Sequence, residues 1–128
     1  MDAGGFLYLA RESVVQFLAQ DLPESDHFVL AAVQQPIRAS ALLDRVAVPA
    51  WRSKPCWYGI AREDRMISPA LQQRWATRMN ARISVLNSGH MPFLSQPKET
   101  AAVILAAFDF VRGSNPPGGS IVEPRDRA

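Results

Sequence analysis

Cysteine is nearly absent. Cys56 stands alone among 128 residues, which excludes an internal disulfide framework. There are two histidines, His27 and His90, and no Cys/His cluster with metal-site spacing, so no metal is expected. No apolar run is long enough to span a bilayer. The opening Met-Asp-Ala-Gly-Gly has neither a basic nor an apolar region, so no signal peptide is expected. A soluble, cytoplasmic chain without a membrane partner is the default expectation. A strong charge bias is missing too: 14 basic against 12 acidic residues leave a net charge of +2. The pI near 9.1 reflects arginines that are scattered rather than clustered. Nucleic acid is therefore not an expected partner, because its binding calls for a basic stripe with interleaved aromatics. Arg74, Arg78 and Arg82 recur at helical spacing and read as a solvated helix face.

What is present is a folding composition: 48% hydrophobic, 20% charged and 9% aromatic residues. The length suits one domain or part of one. In the first third, Phe6 to Leu9 is a short apolar stretch. A helix is expected from about Arg11 to Gln20, with Val14, Phe17 and Leu18 as its buried stripe. A second, from about Glu24 to Gln34, should end against Pro36, because proline disfavours helical geometry in the residue before it. A third short helix is expected over Ala39 to Asp44, then an extended passage from Pro49 through Trp51.

The pattern changes after Lys54. Cys56 to Ala61 is apolar without alternation, as in a strand covered on both faces. A charged turn, Arg62 to Arg65, follows. Ser68-Pro69 then reads as an N-cap with proline at the first helical position. The helix behind it places Leu71, Trp75 and Met79 on one face. A second strand spans Arg82 to Leu86, and Asn87-Ser88-Gly89 turns the chain at His90, the glycine permitting a tight turn. A last helix, about Lys98 to Val111, has a broad apolar face and should be substantially buried. Beyond Gly113 the Gly, Pro, Ser and charged residues are expected to be a disordered tail.

Strand, turn, helix, strand, turn, helix is the signature of an α/β fold with parallel strands and crossover helices. Functional residues in such sheets lie just beyond the carboxyl ends of the strands. Asp64 and His90 both occupy that position, 26 residues apart. A carboxylate that fixes a histidine's tautomer lets the ring act as a general base near neutral pH. On spacing alone the two read either as such a pair or as two surface turn residues.

The stretch from Trp51 to Pro69 resembles the late-strand segment of lidded α/β-hydrolases. In that superfamily the acid sits in a D-x-x-[IV]-x-P turn, which Asp64-Arg65-Met66-Ile67-Ser68-Pro69 matches position by position. Asn87-Ser88-Gly89-His90-Met91-Pro92, with Ser95-Gln96-Pro97 after it, resembles the histidine loop and the proline opening the last helix. The resemblance covers about Gly5 to Val111 and is nearest to small, cofactor-free, esterase-like members. It implies a helical lid remnant over 1–52, the C-terminal β-α-β-α part of the hydrolase core over 53–112, and the tail over 113–128. It also implies Asp64 and His90 as catalytic acid and histidine, no cofactor, and a small apolar ester-like substrate for the parent enzyme. The lid aromatics Phe6, Phe17, Phe28 and Trp51 fit either an apolar pocket or a packed lid core.

The family's nucleophile stands on a G-x-S-x-G elbow, and no such motif occurs here. No other residue replaces it. Ser88 shares the loop of His90 and reads as a turn residue. Cys56 reads as a small hydrophobe, Ser68 as a cap, Glu63 as a solvated turn residue, and His27 as a partly exposed lid histidine. The resemblance implies that the elbow and the oxyanion hole precede Met1 in a parent sequence, leaving this chain close to inert by itself. An unpaired strand edge and apolar lid surface should favour self-association. Three readings follow: a truncated or split hydrolase, a complementing subunit awaiting an N-terminal hydrolase half, and a non-catalytic interaction module.

Overall fold

A computed structural model describes residues 2–114. The remainder of the expected tail lies outside the described residues. The elements are β1 (Phe6–Leu7), α1 (Arg11–Ser13), α2 (Glu24–Val33), β2 (Ile37–Arg38), β3 (Trp57–Ala61), α3 (Pro69–Arg78), β4 (Arg82–Leu86), α4 (Pro92–Ser95) and α5 (Pro97–Ser114). As the pattern of the second half predicts, β3 and β4 pair in parallel, from Trp57 opposite Arg82 to Ala61 opposite Leu86, with α3 as the crossover. Glycine at 59 keeps this pair close, since a Cβ there would sit 3.1 Å from Leu86 Cδ1. Ser68 caps α3 by accepting the Leu71 N–H at 3.4 Å, ahead of Pro69. Asn80, with φ of 49°, turns the chain out of the helix in a left-handed conformation that asparagine tolerates. Ser68→Ala is expected to lower stability by about 0.5–1 kcal/mol, the low end for a cap because the bond is long. Urea denaturation of the two proteins checks it.

The first fifty residues depart from expectation in their details. Instead of one α-helix over Arg11 to Gln20, α1 passes at once into a π-helical turn, Val14–Leu18, closed by the Ala19 N–H on Val14 O at 2.9 Å. The wider turn lets Val14 and Ala19, five residues apart, both reach the interior, and both are fully buried. The helix expected over Ala39 to Asp44 is a 3-10 turn, Ala39–Leu42. A second such turn, Ala50–Arg52, interrupts the passage expected to be extended. The stretch at Phe6 forms a two-residue antiparallel ribbon with Ile37–Arg38. Two residues are too few to show periodicity in a sequence.

On α3 the most deeply buried residues are Gln72 and Ala76, at 4% and 0% exposure, rather than the stripe Leu71, Trp75 and Met79, of which Trp75 and Met79 line a cleft with Val46, Pro49 and Trp51. A small residue allows close approach of helix and strand, and that sets the rotation of α3. Two expectations about packing are corrected. The last helix is not substantially buried, for Ile104, Phe108 and Val111 are each more than half exposed. Its 18 residues run about 27 Å at 1.5 Å each, whereas a five-residue strand spans about 17 Å. Two such strands cannot cover the helix. Finally, Arg74, Arg78 and Arg82 do not share a helix face, since α3 ends at Arg78. Arg82 opens β4 and stacks on Phe110 at 3.9 Å, with Trp57 edge-on to the same ring. The buried residues Ile60, Ala61, Ala76 and Leu86 form the core of the β-α-β unit and hold its loops in place.

Candidate active site

The two loops after β3 and β4 meet because strand pairing continues past the strands. Arg62 N–H donates to Leu86 O and Glu63 N–H to Ser88 O, both at 3.0 Å. This extension brings Asp64 opposite His90, and Asp64 Oδ2 lies 2.9 Å from His90 Nδ1. The pair that spacing left open is therefore in contact.

Asp64 is 8% exposed, and four donors surround its carboxylate. Oδ1 accepts the N–H groups of Met66 at 2.8 Å and Ile67 at 2.9 Å. The D-x-x-[IV] spacing thus has a local physical meaning: the aspartate closes the turn onto its own backbone. Oδ2 accepts the Gln72 amide at 2.9 Å as well as the histidine. An ionised carboxylate offers about four lone-pair sites, and here all are taken. With acceptors only on that side, Nδ1 of His90 must carry the hydrogen. Its Nε2 then holds the lone pair and makes no hydrogen bond among the described residues. The ring is 28% exposed on its side chain, so Nε2 is open to a reacting group.

Gln72 also holds the acid, and sequence reasoning missed it. Its Oε1 accepts the N–H of Ala61, the last residue of β3, at 3.0 Å, which fixes the amide orientation. Its Nε2 then donates to Asp64 Oδ2 and to Ile67 O, the latter at 2.8 Å. One buried side chain therefore joins helix, strand end and acid. No signal in the sequence distinguishes Gln72 from exposed Gln73 beside it.

The remaining candidates do not meet the pair. Ser88 is completely buried, out of reach of any substrate. Cys56 precedes β3, at the opposite end of a strand about 17 Å long, and its thiol donates to Lys54 O at 3.4 Å. Ser68 is used as a cap. Glu63 is exposed beside Arg62 at 3.8 Å. His27 is half-buried, with Nε2 2.8 Å from Ala19 O and 3.1 Å from Leu22 O, bracing the turn before α2. Gly89 is buried, but its backbone is not left-handed. It serves close approach rather than a tight turn, because a Cβ there would fall 2.5 Å from Asp21 Oδ1. Among the described residues no group of three His, Cys, Asp or Glu side chains could hold a metal ion, and no helix is long and apolar enough to cross a membrane.

A cavity of about 370 Å³ lies between the β1–β2 ribbon and the acid turn, lined by Leu7, Leu9, Ile37, Leu42 and Met66 among others. Tyr8, Gln34 and Gln35 complete its walls, which are mostly but not wholly apolar. Phe28 is 61% exposed beneath the Arg11 guanidinium, and Phe6 lies under Arg38. Trp51 lines the other cleft.

Burial, and secondarily the Asp64 carboxylate, raise the Tyr58 phenol above its ordinary 10.0. A group whose folded value is raised contributes stability below its unfolded value and loses it as pH climbs through the folded one. Stability should therefore start to fall as pH passes about 10. Tyr58→Phe should lack this component, as alkaline urea titrations of both proteins would report.

A family model described as the alpha/beta hydrolase family matches residues 2–103. No curated protein matches the chain.

Proposed function

Because the chain belongs to the alpha/beta hydrolase family, we propose that Asp64 and His90 are the acid and base of a hydrolytic triad whose nucleophile is supplied from outside residues 2–114. The assembled site cleaves small apolar esters. The observation that carries this reading is the 2.9 Å contact from Nδ1 to a fully engaged carboxylate, with Nε2 left open. That ring can take the proton of a hydroxyl nucleophile as it attacks the acyl carbon. It returns the proton to the departing alkoxide, then repeats both steps with water to release the acid. Asp64 holds the tautomer and stabilises the transient imidazolium. The mostly apolar cavity beside Met66 supplies the acyl or alcohol pocket.

Exposed apolar surface supports a missing half. Val85 is 61% exposed and Ile83 41% exposed on β4, and much of α5 is uncovered. A two-stranded sheet is marginal by itself and gains stability from further strands. We read the chain as the C-terminal portion of a split or truncated hydrolase, of cytoplasmic type. The test is co-expression with a separately encoded N-terminal half of such an enzyme carrying G-x-S-x-G. Cleavage of a p-nitrophenyl ester should appear only with both halves, and failure of a stable, associated pair to cleave any short ester would reject the reading.

The same exposed surface favours a second reading, a non-catalytic interaction module. Under it His90→Ala leaves binding of the partner half unchanged, and no partner half brings hydrolysis.

A further inference from the structure

Two adjacent lid residues reach both catalytic loops. Asp21 Oδ2 accepts the N–H of Gly89 at 2.5 Å, and Gln20 Nε2 donates to Glu63 O at 2.9 Å. Gly89 immediately precedes His90, and Glu63 immediately precedes Asp64. Each bond therefore grips the backbone one residue before a member of the pair. The bonds join positions 68 and 43 residues apart, so they connect the lid to the loops rather than ordering either locally.

The grip is anchored on the lid side. Ala19 is fully buried and Leu22 is 8% exposed, flanking Gln20 and Asp21. His27 Nε2 lies within hydrogen-bond distance of the carbonyls of both flanking residues, so one ring clamps the turn that carries the pair. On the loop side, only glycine at 89 lets the lid come this close, since any Cβ would overlap Gln20 Nε2 and Asp21 Oδ1. The other carboxylate oxygen of Asp21, Oδ1, and the amide oxygen of Gln20, Oε1, are buried without a protein partner. A buried acceptor left unpaired is unfavourable, so this junction is not the arrangement that stability alone would favour.

We propose that Gln20 and Asp21 are positioning residues through which the lid sets the geometry of the Asp64–His90 pair. The inference rests on the reading of that pair as catalytic. Asp21 holds the His90 backbone, Gln20 holds the Asp64 loop, and the seating of the lid is coupled to the tautomer-fixing bond between them. Displacing the lid turn loosens His90 without touching its ring.

The full 128-residue chain, labelled with nitrogen-15, tests this by NMR of the His90 Nδ1–H. In the unaltered protein this proton should be visible and slow to exchange, and Asp64→Asn should abolish its protection. Asp21→Ala should speed its exchange about tenfold, the factor that follows from losing one hydrogen bond of ordinary strength, with little change in the urea midpoint. Asp21→Asn keeps an acceptor for Gly89 N–H and should restore slow exchange. Unchanged exchange in Asp21→Ala would overturn the clasp while leaving the pair intact. Absence of the protected proton from the unaltered protein would overturn the pair and the clasp together. Unfolding of both Asp21 variants would also overturn the clasp, by making Asp21 a residue of stability alone.

Discussion

In the two-part esterase proposed above, His90→Ala is expected to lower ester turnover by about a millionfold, and Asp64→Asn by about ten thousandfold. The ordering follows from the geometry. Both oxygens of Asp64 are engaged, so the atom of the pair free to accept and return a proton is His90 Nε2, which makes no hydrogen bond among the described residues. Removing it deletes the base. Asparagine at 64 keeps the size and turn-closing oxygen but can donate to Nδ1, which moves the ring hydrogen onto Nε2 and blocks the lone pair there. The loss of about 5.5 kcal/mol of transition-state stabilisation that ten thousandfold represents is thus a tautomer effect. Initial rates with a p-nitrophenyl ester, beside the amount of each half in the complex, measure both. Equal rates for all three proteins would place hydrolysis elsewhere.

The largest effect on stability should come from Gln72. Gln72→Ala leaves the Ala61 N–H and the Ile67 carbonyl without their side-chain partner and removes a donor from Asp64. Each buried group so orphaned is worth about 1–3 kcal/mol, and partial relaxation brings the expected total to about 2–4 kcal/mol. Gln73→Ala, one position along and exposed, should change stability by no more than about 0.5 kcal/mol. Gln72→Glu keeps the shape and sets a second carboxylate against Asp64. Two like charges at hydrogen-bond distance force one to hold a proton, which raises the affinity of the pair for protons above that of the unfolded chain. Folding of this variant should therefore recover as pH falls and weaken as pH rises. Urea denaturation across acid and neutral pH measures the trend. A pH-independent loss equal to that of Gln72→Ala would show that the carboxylates do not interact.

Much of the site was legible because its signals are local. Ser68-Pro69 announces a helix start within two residues, and the unalternating run from Cys56 to Ala61 announces a strand covered on both faces. The spacing from Asp64 to Ile67 is that of an aspartate closing its own turn, as the bonds to Met66 and Ile67 show. Parallel pairing of the strands follows from the crossover helix between them. These signals left the meeting of Asp64 with His90 open, and the resemblance of the two loops to those of α/β-hydrolases made it the expectation. Gln72 could not, because its role depends on the rotation of α3, and the sequence pattern favoured the neighbouring stripe of Leu71, Trp75 and Met79. That stripe has the strongest periodicity on the helix, yet Ala76 gives the closer approach.

What the sequence by itself determined is the strand-helix-strand-helix order of the second half, the α/β class and the placing of Asp64 and His90 just beyond two strands, since caps, prolines and apolar runs act within a few residues. Tertiary structure alone decided the ribbon between Phe6–Leu7 and Ile37–Arg38, the exposure of α5, and the grip of Gln20 and Asp21 on the two loops. Those features join residues tens of positions apart through single hydrogen bonds, or depend on how much surface two short strands can cover. Neither kind of information leaves a periodic trace along a chain, so both arise only when the elements are packed against one another.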